Sequence, residues 1–227
     1  MNQTIFLLLG VLGLVGLGAA ISGNDDDHAP DGPADDPRLN PDTVIGDEDS
    51  DQDQVLNGTS GDDGILGGSG DDTINGEAGN DLIGAGYGND SVIADPGNDE
   101  IYLGGSDDVY GAYEAGVSQG NDTIYGGYGN DTITITGGSN AHNNTNLNIV
   151  TGTGTDSVTV SGAITVAGNL SISSQNIAAN ALITAGASNS VTLNAGTGAI
   201  TTSGSGVDVS AQGLLASATT GIDLDTT

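Results

Sequence analysis

The sequence has no cysteine, no tryptophan, one phenylalanine and a single basic side chain, Arg38, in 227 residues. Without cysteine the chain forms neither disulfides nor thiolate metal sites, so any cross-link has to use hard oxygen ligands. One basic residue provides no cationic surface for nucleic acid. Because aromatic residues are so scarce, the core has to be built from small and β-branched side chains.

Acidic residues and glycine dominate what is present. The chain has 31 Asp and Glu residues, a formal net charge of −30 and 40 glycines. A compact state with this charge repels itself unless the acidic segments stay unfolded or cations neutralise them. The composition therefore favours an acidic, glycine-rich protein that needs bound cations to fold.

A nine-residue phrase, represented best by Gly67–Asn75, recurs between residues 58 and 134. Each copy has an aspartate, and most copies have an aliphatic residue two positions after it and a glycine two positions before it. The recurring aspartates are Asp63, Asp72, Asp81, Asp90, Asp99, Asp108, Asp122 and Asp131. The glycines are Gly61, Gly70, Gly79, Gly88, Gly97, Gly120 and Gly129.

The physical chemistry of one copy predicts a turn followed by a short strand. Glycine, Asn and Asp accept the left-handed backbone of tight turns, and three residues such as Thr73–Asn75 form a strand whose middle side chain points inward. Nine residues bury too little alone, so copies have to stack as a parallel coil. A flexible Gly/Asp linker is the alternative, but a linker has no reason to keep an apolar residue in phase.

Two consecutive copies make one full coil if each contributes a turn and a strand, so each copy stacks on the copy two further along. This arrangement places Asp63 near Asp81, and Asp72 near Asp90. Stacked carboxylates repel one another strongly unless a cation lies between them. Carboxylate and turn carbonyl oxygens form a cage that suits Ca²⁺ and suits zinc or copper poorly.

The phrase Gly-Gly-x-Gly-x-Asp-x-aliphatic-x, which Gly67–Asn75 matches at every position, resembles the RTX, or haemolysin-type, calcium-binding repeat of bacterial proteins. The resemblance implies an all-β fold, a parallel β-roll that folds on binding Ca²⁺ outside the cell, usually after type I secretion. It also implies that the eight repeat aspartates are the calcium ligands, within sites formed together with the seven repeat glycines.

Several copies depart from the phrase. Ser106 replaces a repeat glycine, Tyr110 stands at an aliphatic position, Pro96 occupies a turn, and residues 111–116 contain a five-residue slip. The first glycine is replaced by Ala85, Ala94 and Leu103. We therefore expect a weaker site around Ser106 and a separate, weaker stack for the last two copies.

The segments before the array predict a leader and a linker. Residues 1–21 contain a 17-residue apolar run, Ile5 to Ile21, which predicts a signal peptide or a membrane anchor, with a surface helix as a third interpretation. Residues 22–56 alternate acidic clusters with proline and predict a disordered acidic linker rather than a cation sponge. Residues 57–135 are the predicted β-roll. An N-terminal apolar segment is unusual for type I secretion, so the export route stays open.

Residues 136–227 lack the nine-residue phase and show alternating apolar and polar residues, as in Val158-Thr159-Val160. The pattern predicts a parallel β-helix, a β-sandwich or an irregular β region. The texture, including Gly168–Ile172, weakly resembles filamentous-haemagglutinin-type adhesin repeats. Threonine-rich stretches, 132–136 and 151–155, could present hydroxyls to ice or glycans, but threonine on a solvent-facing strand is the commoner explanation.

Sequence support for catalysis is weak. The two histidines, His28 and His142, lie in polar surroundings, and no His-Glu-x-x-His motif occurs. Residues 116–120 have the Gly-x-Ser-x-Gly spacing, but further glycine-rich repeats follow them instead of the helix that a nucleophile elbow requires. We expect no enzyme activity. The expected function is extracellular calcium binding in a structural or adhesive role, with cell-surface or matrix components as further partners. The alternative is a fragment of a larger RTX hydrolase or toxin whose catalytic part lies outside this chain.

Overall fold

The computed structural model describes residues 44–46, 51–93, 96–112, 120–135, 146–186, 188–202 and 209–224. Within these ranges every regular element is a β-strand, and all strand pairs are parallel. Two nine-stranded sheets run the length of the molecule, and a three-stranded sheet joins them in the C-terminal part. The predicted all-β fold with a parallel β-roll is confirmed, and the strands stack as a β-solenoid.

Successive strands of the roll alternate between the two long sheets. Strands β1, β3, β5, β7 and β9 belong to the first sheet, and β2, β4, β6, β8 and β10 to the second. Their bounds are Val44–Gly46 (β1), Val55–Asn57 (β2), Gly64–Ser69 (β3), Thr73–Asn75 (β4), Leu82–Tyr87 (β5), Ser91–Ile93 (β6), Glu100–Gly105 (β7), Val109–Ala112 (β8), Asn121–Tyr128 (β9) and Thr132–Ile135 (β10).

The register places the aliphatic residue of each copy on that of the copy two further along. Ile65 pairs with Ile83, and Ile83 with Ile101; in the second sheet Ile74 pairs with Val92. These five side chains are fully buried between the sheets. A column of identical branched side chains fills a narrow interior without aromatic residues. Repetition of one apolar position therefore provides most of the core of the roll, to which Ala85 and Leu103 add.

The array begins earlier than the predicted boundary at residue 57. Val44–Gly46 pairs with the strand that contains Ile65, and Val55–Asn57 pairs with Thr73–Asn75. The first strand and the first two residues of the second lie inside the segment predicted as linker, residues 22–56. Neither strand follows the glycine and aspartate pattern of the repeat, so the pattern did not predict them, although their middle side chains, Ile45 and Leu56, pack in or against the core.

The five-residue slip does not divide the roll. Strand β9 pairs with β7, and β10 pairs with β8, so the copies after the slip continue the same stack. The expectation of a separate stack is wrong, because extra residues in one connection leave the strand register unchanged. Tyr110 enters the core at an aliphatic position and is 3% exposed.

Residues 146–224 continue both sheets and add a third face, which distinguishes a β-helix from the sandwich alternative. The third sheet has the order β13-β16-β19. The strands are Asn146–Val150 (β11), Ser157–Val160 (β12), Ile164–Val166 (β13), Leu170–Ser173 (β14), Asn176–Ala179 (β15), Ile183–Ala185 (β16), Ser190–Asn194 (β17), Ala199–Thr201 (β18), Val209–Ser210 (β19), Gly213–Ser217 (β20) and Gly221–Ile222 (β21).

Across the described ranges we find no helix with the length and apolar character that a bilayer crossing requires. The predicted leader, residues 1–21, lies outside the described residues, as do His28, His142 and most of the predicted linker.

Candidate metal centre

The repeat aspartates form two ladders, one along each edge of the roll where a turn enters a strand. The first ladder contains Asp63, Asp81, Asp99 and Asp122. The second contains Asp72, Asp90, Asp108, Asp131 and one residue that the sequence analysis missed, Asp156. All except Asp63 are buried, with exposed fractions of 3% or less.

One hydrogen bond repeats along both ladders. The backbone N–H of each aspartate donates to Oδ1 of the aspartate on the next coil, at 2.8 Å for Asp72 to Asp90 and for Asp90 to Asp108. The same bond is 3.0 Å for Asp63 to Asp81 and for Asp81 to Asp99. The predicted stacking of each copy on the copy two further along is therefore confirmed.

Several ladder aspartates have a second carboxylate oxygen that receives no hydrogen bond from the protein. In five of the aspartates Oδ2 is buried without any hydrogen-bond partner: Asp72, Asp81, Asp90, Asp108 and Asp131. An ionised oxygen buried without a partner costs several kcal/mol, so native structures almost always pair it or place it on a metal. Five such oxygens at equivalent positions indicate a repeated ligand position.

Two of the orphaned oxygens, those of Asp131 and Asp72, lie beside a glycine and near a backbone carbonyl of the next coil. A methyl group built on Gly126 would lie 2.5 Å from both Asp131 Oδ2 and the carbonyl oxygen of Thr151. A methyl group on Gly67 would likewise meet Asp72 Oδ2 and the Ala85 carbonyl. Two acceptor oxygens that face each other in a dry cradle cannot bond to one another, but they can share a cation.

Within the described ranges no three His, Asp or Glu side chains converge on a single point. Side chains alone therefore make no metal site, and backbone carbonyls have to complete any coordination shell. An all-oxygen set of carboxylates and carbonyls is the chemistry that Ca²⁺ prefers. The orphaned carboxylate oxygens and the backbone carbonyls near them are therefore suitable ligands for a calcium ion.

The repeat glycines let the turns of adjacent coils approach closely. Gly70, Gly79, Gly88 and Gly129 have φ between +121° and +144°, which side chains rarely adopt. Gly97 and Gly120 lack this φ, but a methyl group on either would overlap a backbone carbonyl of the preceding coil. Gly61 belongs to the first turn of the first ladder, and a methyl group on it would contact only Thr59 Oγ1, at 3.9 Å. That these glycines take part in the metal sites stays a prediction.

Ser106 replaces a repeat glycine yet adopts its conformation, with φ of +96°. The following Asp108 is 1% exposed and its Oδ2 is orphaned as in the regular copies. The geometry around Ser106 is therefore regular, and the expectation of a weaker site there stays a prediction. Serine has no branch at Cβ, so it tolerates a left-handed turn at moderate cost.

Adjacent aspartates within one turn point to different surroundings. Asp71 is exposed and its Oδ1 accepts the backbone N–H of Asn89 at 2.8 Å, whereas Asp72 is buried on the ladder. Asp107 and Asp108 divide in the same way, since Asp107 Oδ1 accepts the N–H of Asn130 at 2.8 Å. The exposed acids thus cross-link neighbouring turns, and the buried acids present oxygens to the ladder.

Burial away from water is the largest cause that raises the pKa of the ladder carboxylates. A backbone hydrogen bond partly opposes the rise, and neighbouring carboxylates add to it. The pKa of Asp81 rises to about 6, those of Asp90 and Asp131 to about 7, and that of Asp108 to about 8. The pKa of Asp72 is raised as well. Without a cation, the fold therefore favours the protonated acids.

In EGTA, the folded fraction of the roll is expected to rise as the pH is lowered from 8 to 5. A carboxyl whose pKa is raised on folding binds a proton that the unfolded chain, at 3.8, has released, so stability falls as the pH rises from about 4 to about 8. Far-UV circular dichroism at several pH values measures this. With saturating calcium the trend should reverse, because protons then compete with the metal; a β signal in EGTA that grows with pH would contradict this assignment.

Two ladder residues, Asp156 and Gln54, were not predicted from the sequence. Asp156 follows Gly152 and Gly154 with the spacing of the repeat, and Val158 stands at the aliphatic position, so the phrase itself was the available signal. We did not recognise this copy because Thr151 replaces the glycine at its first position and because Asp156 follows Asp131 by 25 residues instead of 18. Gln54 takes the ladder position 18 residues before Asp72, where its N–H donates to Asp72 Oδ1 at 2.7 Å. No sequence signal marked it.

Comparison with protein families supports this geometry. The family model described as RTX calcium-binding nonapeptide repeat (4 copies) matches residues 50–83, 84–112 and 117–140. These ranges contain all eight predicted aspartates and end before Asp156. Comparisons with curated proteins and with solved structures found no match.

Proposed function

Because the chain carries RTX calcium-binding nonapeptide repeats, we propose that it is a calcium-folded structural or adhesive module that works at or outside the surface of a bacterial cell. The repeats bind Ca²⁺, and the buried oxygens of the ladders are the ligands that the geometry supports best. The observation that carries the proposal is the set of five orphaned Oδ2 atoms. Each needs a cation that the protein itself does not provide.

The external location follows from calcium supply. Modules of this kind bind Ca²⁺ with dissociation constants of about 10⁻⁴ to 10⁻³ M, far above the calcium level of a cytoplasm. Inside the cell the ladder acids would repel one another and the roll would stay unfolded. Outside the cell the ions would bind and the solenoid would form. Folding after export is therefore the role that the ladders support.

A non-catalytic role is part of the proposal. The paired acids of each turn face different surroundings, one solvent-exposed and one on the ladder, so they do not flank a common substrate position. A rigid solenoid with a regular surface suits spacing or adhesion. Cell-surface or matrix components are the partners we propose for it.

We expect intact cells that produce the full chain to display it in calcium-containing medium. Protease treatment of intact cells, followed by immunodetection of residues 120–224, measures this. The chain should be accessible and calcium should protect it from cleavage, with EGTA removing the protection. Recovery only after cell lysis would contradict the external location while leaving calcium binding by the purified chain intact.

A further inference from the structure

The two ends of the second ladder differ from its middle. In the middle, Oδ2 of Asp72, Asp90, Asp108 and Asp131 has no partner in the protein. At each end, the equivalent place holds a protein hydrogen-bond donor. The difference is one of chemistry, because the strand register and the backbone bond to Oδ1 continue through both ends.

At the N-terminal end, Gln54 stands where the other coils have aspartate. Its side-chain Nε2–H donates to the carbonyl oxygen of Gly67 on the next coil, at 2.5 Å. On the following coil, Asp72 Oδ2 faces the equivalent carbonyl, that of Ala85. There both atoms are acceptors. Gln54 thus replaces an acceptor pair that requires a cation by a donor–acceptor pair that requires none.

At the C-terminal end, Asp156 is fully buried but its carboxylate is satisfied. Its Oδ1 accepts the N–H of Asp131 at 3.1 Å, and its Oδ2 accepts the hydroxyl of Thr151 at 2.8 Å. The residues that correspond to Thr151 in the copies of Asp131 and Asp72 are Gly126 and Gly67. Glycine has no donor side chain to offer. Among the aspartates of the second ladder, Asp156 alone therefore has its second oxygen bonded to a threonine hydroxyl.

We propose that Gln54 and Thr151 are end caps of the calcium row, each with a hydrogen-bond donor in the place that calcium takes on the coils between them. The inference rests on calcium binding by the repeats and adds where the row ends. Asp156 continues the ladder but binds no ion. After Asp156, Ser174 is the only polar residue in the described ranges that is buried, so the described strands beyond Asp156 have no buried carboxylate that requires calcium.

The matched variants Asp131→Asn and Asp156→Asn test the C-terminal cap. Both residues occupy the same ladder position, and an asparagine at 156 keeps the bond to Asp131 N–H while its amide donates to the Thr151 hydroxyl. Ions bound per full-length chain are counted by equilibrium dialysis with ⁴⁵Ca²⁺, and circular dichroism monitors folding. We expect Asp131→Asn to bind at least one ion fewer than the wild type and Asp156→Asn to bind the wild-type number.

Loss of an ion in folded Asp156→Asn would overturn the C-terminal cap, since Asp156 would then be a ligand. A wild-type chain that binds no calcium would instead refute calcium binding itself, so the two failures are distinguishable. As a second measurement, Thr151→Val should lower the melting temperature of the calcium-saturated chain by about 5 °C, and Thr151→Ser should restore it, because the hydroxyl bonds to a buried carboxylate. Equal melting temperatures for valine and serine would also overturn the cap.

The nearly isosteric change Gln54→Glu tests the N-terminal cap. It turns the donor that faces the Gly67 carbonyl into an acceptor, which recreates the oxygen pair of the middle coils. We expect either one additional bound ion or, where the new site stays empty, a lower melting temperature in saturating calcium. A variant with both the wild-type ion count and the wild-type melting temperature would overturn this cap.

Discussion

Calcium removal is expected to unfold residues 51–135 at pH 7.5. Five buried carboxylate oxygens lack a protein partner, and each would cost several kcal/mol as an unpaired charge. With calcium tenfold above the dissociation constant, each site adds about 1.4 kcal/mol, so five sites add about 7 kcal/mol. This equals the whole stability of a small domain. The part of the β signal that residues 51–135 contribute should therefore disappear in EGTA, while the signal of the strands after Asp156 remains.

The matched control for this experiment is magnesium at the same concentration. Mg²⁺ demands short octahedral geometry and releases its water reluctantly, so a flexible cage of carboxylates and carbonyls binds it poorly. Restoration of the β signal by Ca²⁺ but not by Mg²⁺ would support the cage. Equal restoration by both ions would show that charge screening, rather than a coordinated ion, stabilises the roll.

The substitution Gly88→Ala is expected to disrupt the roll even in saturating calcium. Gly88 has φ of +128°, and a methyl group on it would overlap the carbonyl oxygen of Gly70 on the preceding coil. Relief of that overlap has to separate two turns that the bond from Gly70 N–H to the Tyr87 carbonyl now joins, and it displaces Gly88 N–H from the Gly105 carbonyl of the following coil. Backbone strain and lost bonds together should cost more than about 3 kcal/mol. Thermal unfolding in calcium measures the loss.

Gly111→Ala is the matched control on the same roll. Gly111 lies in strand β8, its φ is not positive, and a methyl group there would meet no atom within 4 Å. We expect a change in stability within about 1 kcal/mol, since alanine removes only freedom of the unfolded chain. If the two alanine variants melted at similar temperatures, the close approach of the turns would not be what stabilises the stack.

The nine-residue spacing was sufficient to predict the parts of the fold that repeat. It predicted that Ile65 and Ile74 point inward and that Asp72 meets Asp90, because a coil of two copies leaves no other partner. The spacing was less informative at positions where the residue type departs from the repeat but the backbone conformation or the packing does not. Ser106 adopts the glycine turn, and Tyr110 fills an aliphatic place, although both positions appeared to interrupt the array.

The nine-residue pattern did not predict where the array begins and ends. Val44–Gly46 and Val55–Asn57 are strands without repeat glycines, and only their pairing with the next coil reveals them. Gln54 and Thr151 are assigned as caps because of the atoms that their side chains contact. The spacing of residues along the sequence does not reveal those contacts. Which carboxylate oxygens are orphaned is likewise a property of the packed coils. The sequence therefore predicted calcium and the stacked aspartates. The structure located the ends of the ladder, where protein hydrogen-bond donors take the place of calcium.

Anomalous X-ray scattering from crystals grown in calcium locates each bound ion. We expect calcium peaks beside Oδ2 of the five aspartates whose Oδ2 lacks a protein partner, within about 2.3–2.6 Å of the oxygen, and no peak beside Asp156 Oδ2. The five are Asp72, Asp81, Asp90, Asp108 and Asp131. A folded roll without peaks at these oxygens would contradict calcium binding by the ladders.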